Sequence, residues 1–121
     1  MRNRIIRFRI WDRQNEEMIN WYELINNDKS LLLQVIESDL AEVMQFTGLT
    51  DKNGKDIYEG DIMFTGSHNR IIEWHESIAA FCSIASDKYF GFDGAEWHKW
   101  TIIGNIFENT DILLPSGKRS A

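Results

Sequence analysis

The sequence predicts a mainly β protein with little helix, built as one domain or as one compact domain with a small appended element. Three observations carry this. Short runs of apolar and aromatic residues recur at intervals of about ten residues with turn-forming residues between them, the pattern of a small barrel or a sandwich. Residues 5–11 alternate imperfectly, with Ile6, Phe8 and Ile10 on one face and Arg7, Arg9 and Trp11 on the other, the two-residue period of a strand with one buried side. Asn53-Gly54 supplies the residue types that a two-residue hairpin turn of type I′ requires.

The elements follow in order. Asp12 to Glu17 is polar enough to turn, and Met18 to Leu24 returns as the second arm of a hairpin, with Trp21 or Tyr22 packing inward. Asn26-Asn27-Asp28-Lys29 is a loop of turn-prone residues. The segment from Ser30 to Phe46 fits two patterns. Leu31, Leu32, Val35, Ile36, Leu40 and Val43 make a helical stripe with Ser30 as N-cap, whereas Leu31 to Ile36 is also an apolar run of strand length. Strand, a turn at Ser38 to Ala41, and strand again from Glu42 is the favoured order.

Beyond Glu42 the pattern is β. Gly60-Asp61 interrupts the strand after the Asn53-Gly54 turn and bends it. Gly66 to Asn69 turns, Arg70 to His75 and Ile78 to Ile84 are strands, and Asp87-Lys88 turns again. Tyr89, Phe90 and Phe92 precede the flexible Gly91 to Gly94 stretch, and Glu96 to Ile103 is another strand. Gly104-Asn105 leads into a last strand or helical turn through Leu114, and 115–121 is a polar tail predicted to be disordered.

Composition narrows the function classes. With 43% hydrophobic residues, five Trp and seven Phe in 121 residues, the chain has ample side chains for a core. Its single cysteine, Cys82, cannot form an intramolecular disulfide, which points to a reducing compartment, most naturally the cytoplasm, or to indifference to redox state. Arg4, Arg7 and Arg9 interrupt the apolar positions of the first residues, so no signal peptide is expected, and no window reaches the roughly 20 apolar residues that span a bilayer. The net charge of −6 is unevenly placed: residues 1–13 carry five Arg and one Asp, and the remainder carries eight basic against eighteen acidic residues. An acidic body disfavours general binding to duplex nucleic acid, while a basic first strand suits phosphate or an acidic face of another copy.

Three segments together resemble a known family. They are Phe8-Arg9-Ile10-Trp11-Asp12, the run from Met44 to Ile62 with Thr47-Gly48-Leu49 and Tyr58-Glu59-Gly60-Asp61-Ile62, and Ile103-Gly104-Asn105-Ile106-Phe107-Glu108-Asn109. The chain resembles the YopX-like proteins of bacteriophages and prophages. That resemblance implies an N-terminal hairpin-like subdomain over 1–41 and an SH3-like β-barrel or roll over 42–114. Ile10 stands where small residues are common in the family, and Thr110-Asp111 where Pro often follows. The family supplies no catalytic residues to transfer.

No catalytic or metal constellation is expected. Asp51 to Asp56 has the look of a calcium loop, but its Gly falls fourth rather than sixth and the twelfth residue is Ile62 instead of Glu. Glu73, His75, Asp93, Glu96 and His98 lack the usual zinc spacing and are most simply polar faces opposite Trp74 and Trp97, while His68 sits in a turn. Cys82 lies in an apolar run and reads as a small buried hydrophobe. Trp97 and Trp100, three apart, face opposite ways in a regular strand, so one belongs in the core and the other at a surface or interface.

The expected function is therefore a non-enzymatic phage or prophage accessory protein without cofactor, acting by contact with itself as a homo-oligomer and with a phage or host protein, away from membranes. The expected interaction surface is Arg7, Arg9 and Trp11 with Trp97 and Trp100. The alternative uses the same N-terminal strand to bind single-stranded nucleic acid, Trp11 stacking on a base.

Overall fold

The computed structural model describes residues 4–26, 33–34, 37–85, 90–91 and 93–113. The turn at Asp87-Lys88, Tyr89, Phe92 and the tail at 115–121 lie outside them, as do most of the expected loop after Asn26 and of the apolar run at 31–36. The described residues are mainly β, with nine strands in two antiparallel sheets and little helix. Two compact units divide the chain, 1–46 and 47–121, so the division falls inside a strand and five residues beyond the expected 41/42 boundary. No helix among the described residues is long and apolar enough to cross a membrane.

In the first unit, β1 (Phe8–Asp12) and β2 (Glu17–Ile19) form the expected hairpin, with Ile10 opposite Ile19 and Asp12 opposite Glu17. Asp12 builds the turn. Its Oδ1 accepts the backbone N–H of Gln14 at 2.9 Å and of Asn15 at 3.3 Å, and its Oδ2 the Asn15 amide at 2.9 Å. The Asn15 side chain is the main reason that the Asp12 carboxyl lies below its ordinary pKa.

The second arm of the hairpin is shorter than the sequence pattern indicates, because a helix α1 (Trp21–Asn26) begins after Asn20. Asn20 Oδ1 accepts from Glu23 N–H at 2.9 Å, and the Glu23 carboxylate reaches back to Asn20 N–H at 3.4 Å. That reciprocal pair is a capping box, here Asn-Trp-Tyr-Glu, and it turns the chain out of the strand. Trp21 then tilts against Phe8 with ring centroids 6.3 Å apart, Leu24 is buried, and Tyr22 is exposed. Leu33, Gln34 and Glu37 are helical, so at these positions the helical stripe prevails over the favoured strand. The longest strand, β3 (Ala41–Thr50), pairs antiparallel with β1 from Phe8 opposite Gln45 to Asp12 opposite Ala41. In the four-stranded sheet, ordered β2-β1-β3-β4, its other neighbour is β4 (Asp56–Tyr58).

In the second unit, a five-stranded sheet has the order β8-β7-β6-β5-β9 and curls into a half-barrel. Its strands are β5 (Asp61–Phe64), β6 (Asn69–His75), β7 (Ala80–Ala85), β8 (Phe90–Gly91) and β9 (Thr101–Asn105). The expected bend at Gly60-Asp61 separates β4 from β5, and an irregularity between Ile62 and Met63 bends β5 against β9. Ile57, Met63, Ile72, Trp97 and Trp100 form the core, with Phe81 and Ile102 packed against it.

The β3–β4 turn is not the expected two-residue type. Asn53 keeps a negative φ and only Gly54 is left-handed, at φ +78°. Gly54 N–H bonds to Asp51 C=O at 3.0 Å and Asp51 N–H to Lys55 C=O at 2.8 Å, which makes a three-residue loop. Asp51 decides this. Its buried Oδ1 accepts from Asn53 N–H at 2.8 Å and Lys55 N–H at 2.9 Å, and its Oδ2 from Ile102 N–H at 3.0 Å in β9.

Gly104 is needed for a close approach. A Cβ there would lie 2.5 Å from Asn109 Oδ1, which accepts the N–H of Asn105 at 3.1 Å. Gly104→Ala is expected to expel the Asn109 side chain and cost about 1–3 kcal/mol in thermal or denaturant unfolding. Adding Asn109→Ala should then cost much less than it does alone; full additivity of the two would contradict the contact.

Candidate interaction surface

The register of β1 sorts the predicted N-terminal residues. Arg9 is opposite Met44, and Trp11 is opposite both Met18 and Glu42, so Arg7, Arg9 and Trp11 share one face of the sheet with Met44 and Phe46. All three are half-buried, and Met44 and Phe46 are buried. The Arg7 guanidinium lies over the Phe46 ring, 5.7 Å from its centroid, while Phe46 N–H bonds to Arg7 C=O at 2.9 Å. The Arg9 Nε is buried as well. Arg7 thus places its charge over a ring. Among the described arginines of the N-terminal segment, those classed as exposed are Arg4 and Arg13, the latter ion-paired with Glu42.

Trp97 and Trp100 do not join a surface. Residues Gly94–Lys99 form a 3₁₀ helix instead of the expected strand, and Trp97 is 1% and Trp100 9% exposed. In a strand, residues three apart point to opposite faces; with three residues per 3₁₀ turn they stack on the same side. Both indoles therefore enter the second unit's core. Trp97 Nε1–H also donates to Asp93 Oδ1 at 3.0 Å.

Around Asp93 lies a polar cluster that the sequence pattern did not reveal. Arg70 Nε donates to Ser83 Oγ at 2.6 Å, Arg70 Nη2 to Ser83 C=O at 3.0 Å, and Ser83 Oγ–H to Asp93 Oδ1 at 2.8 Å. Arg70 is 3.8 Å from the Asp93 carboxylate, and a Cβ on Gly91 would come within 3.2 Å of it. The cluster links β6, β7 and the 3₁₀ helix. Ser83 is fully buried, and its oxygen bridges the Arg70 guanidinium and the Asp93 carboxylate. Only the strand register, with Ile72 opposite Ser83 and Arg70 opposite Ala85, brings these residues together.

Burial first, then the nearby carboxylates of Glu73 and Asp93, pushes the Cys82 thiol up from its ordinary pKa, so it stays protonated at neutral pH. His75 Nδ1 meets Ser77 Oγ at 2.8 Å, and Glu96 pairs with Lys99 at 2.9 Å. Among the described residues no three His, Cys, Asp or Glu side chains converge to hold a metal ion.

One exposed aromatic group stands out at the β6–β7 connection. Trp74 is opposite Phe81 and meets it edge-on with centroids 5.0 Å apart, yet Trp74 remains 43% exposed. The turn beyond it is the 3₁₀ segment Glu76–Ile78, in which Ile78 is 45% exposed. Glu76 lies in that turn and Glu73 on the opposite face of the hairpin from Trp74, across from Cys82; both are exposed.

The Gly-Asn-Ile-Phe-Glu-Asn close is a folded unit of its own. Asn105 Oδ1 accepts from Phe107 and Glu108 N–H at 3.0 and 2.9 Å, and Asn105 Nδ2–H donates to Glu108 Oε1 at 2.9 Å. With Asn109 beneath Gly104, every polar side chain of the segment is used to end β9. The model of one family, described as YopX protein, matches residues 7–114. This chain belongs to the YopX protein family.

The match spans both units of this YopX-family chain. A solved structure with a similar fold is the crystal structure of protein EF1440 from Enterococcus faecalis, 22% identical, aligned over 93% of this chain and 100% of that one with a TM-score of 0.64. At that identity the likeness is one of fold. No curated protein sequence matches the chain. The segments that carry the family resemblance, Phe8 to Asp12, Met44 to Ile62 and Ile103 to Asn109, supply the central strand of one sheet, the Asp51 turn and the Asn105 close.

Proposed function

We propose that this chain is a non-enzymatic accessory protein of phage or prophage origin that works in the bacterial cytoplasm through protein contacts and associates with itself. The second unit acts in this reading as an SH3-like roll, a scaffold that presents loops and exposed side chains. One observation carries it. Of the buried polar side chains among the described residues, Asp51, Asp61 and Asn105 are hydrogen-bonded to backbone N–H groups of the protein's own turns and strands, and Ser83 to the side chains of Arg70 and Asp93. Chemically capable groups are thus committed to architecture, while Tyr22, Leu40, Trp74 and Ile78 remain at the surface. The contrast between a basic first strand and an acidic remainder supports association between copies.

Binding of single-stranded nucleic acid through Arg7, Arg9 and Trp11 is the weaker reading, since all three are half-buried on the face of Met44 and Phe46 and the Arg7 cation rests on a ring. The two readings separate in one experiment at low ionic strength: mass across a concentration series, with a mixed single-stranded oligonucleotide pool followed by anisotropy in the same buffer. A mass that rises with concentration and an unchanged anisotropy are expected. A constant monomer mass, or oligonucleotide binding that weakens steeply with salt, would overturn the proposal.

A further inference from the structure

We infer that the tip of the β6–β7 hairpin receives the Arg4-Ile5-Ile6 segment of a second copy of this chain; the inference rests on the self-association proposed above and names its surface. Trp74 and Ile78 give the tip an exposed apolar floor, with the Phe81 ring fixing the edge of the indole at a centroid distance of 5.0 Å. Glu76 adds an exposed carboxylate in the turn, Glu73 adds a second negative charge from the other face of the hairpin, and the stretch from Ile71 to Ser86 contains no Lys or Arg to neutralise them. The tip is built before it meets a partner. Six consecutive residue pairs hold β6 to β7, and Ala79, at φ +52°, closes the 3₁₀ turn with its N–H on Glu76 C=O at 3.2 Å. A site of fixed shape spends little conformational entropy on binding.

The complementary element lies on the same sequence. Ile5 is 60% and Ile6 53% exposed, Arg4 is exposed, and the segment precedes β1 without strand pairing. Both elements are exposed within one copy, so each is available to another. In an extended chain Arg4 and Ile6 point to one side, about 7 Å apart, which lets Ile6 cover the indole while the Arg4 guanidinium reaches the carboxylate of Glu76 in the turn. Basic with apolar against acidic with aromatic gives both the attraction and the register. In a two-fold pair the contact is made twice.

Charge exchange on the full chain tests this, because every substituted residue is exposed and folding is left intact. Wild type, Glu73→Arg with Glu76→Arg, Arg4→Glu, and an equimolar mixture of the two variants are compared by light scattering at low salt. The expected result is association of the wild type, a shift of at least tenfold to higher concentration for either variant alone, and recovery of mass in the mixture, where the acidic segment of one meets the basic tip of the other. Variants that associate like the wild type would overturn the assigned surface and leave self-association standing by another route. A wild type that stays monomeric would overturn both.

Discussion

Asp51→Ala is expected to destabilise the protein by about 3 kcal/mol, measured as the change in denaturant midpoint at neutral pH and constant slope. The buried carboxylate collects three backbone N–H groups, those of Asn53 and Lys55 in the turn and that of Ile102 in β9. Removing it leaves three donors unsatisfied in a site that is 4% exposed. Asp51→Asn is a finer probe. The amide oxygen can still receive Asn53 and Lys55, but its NH₂ group opposes the Ile102 N–H, so roughly half of the loss is expected. A neutral Asp51→Ala would show that the three bonds contribute nothing net.

The same residue sets a pH dependence. Burial alone would raise the Asp51 pKa, and the N–H groups of Ile102, Lys55 and Asn53 with the nearby Lys55 charge outweigh it, so the folded-state value lies below the ordinary one. A depressed folded pKa means that the unfolded chain takes up the proton first. The contribution to stability is therefore complete above the unfolded value, about 3.9, and is lost as pH falls through the folded value. Between neutral pH and about pH 3 the wild type should lose more stability than Asp51→Asn.

Trp97→Ala is expected to cost about 3–5 kcal/mol and to leave the second unit poorly packed. The indole is 1% exposed, packs with Ile57, Met63, Ile72 and Trp100, and gives Asp93 one of its donors. Trp97→Phe keeps most of the volume but removes that donor, and about 1–2 kcal/mol should be lost. Thermal unfolding followed by circular dichroism separates the two. A Trp97→Ala variant with unchanged stability would place the side chain outside the core.

The difference between Trp97 in the sequence and Trp97 in the fold shows where periodicity misleads. Glu96 to Ile103 alternates well enough to suggest a strand, yet Gly94–Lys99 is a 3₁₀ helix, and the spacing of three that separates two indoles in one brings them together in the other. Local hydrogen bonding, which hydrophobic pattern does not encode, made the other differences. Asn20 and Glu23 stop β2 with a capping box, and Asp51 converts the Asn53-Gly54 turn into a three-residue loop. By contrast β1, the break at Gly60-Asp61 and the strands β6 and β7 were legible, because they are apolar-rich runs of strand length set between turn-forming Gly, Asn, Asp and Ser. Of the expected surface, the common face of Arg7, Arg9 and Trp11 followed from alternation alone. Their partial burial against Met44 and Phe46 depends on a strand more than 30 residues away, and the exposed Trp74 tip depends on its pairing with Phe81.

Self-association through charge-complementary surfaces is the central claim, and light scattering behind size-exclusion chromatography, at low and at high salt, tests it most directly. The account predicts an assembly at low salt that loses mass at high salt, since exposed charge pairs are screened within about 10 Å at 0.1 M ionic strength. A monomer of unchanged mass at both salts would contradict it.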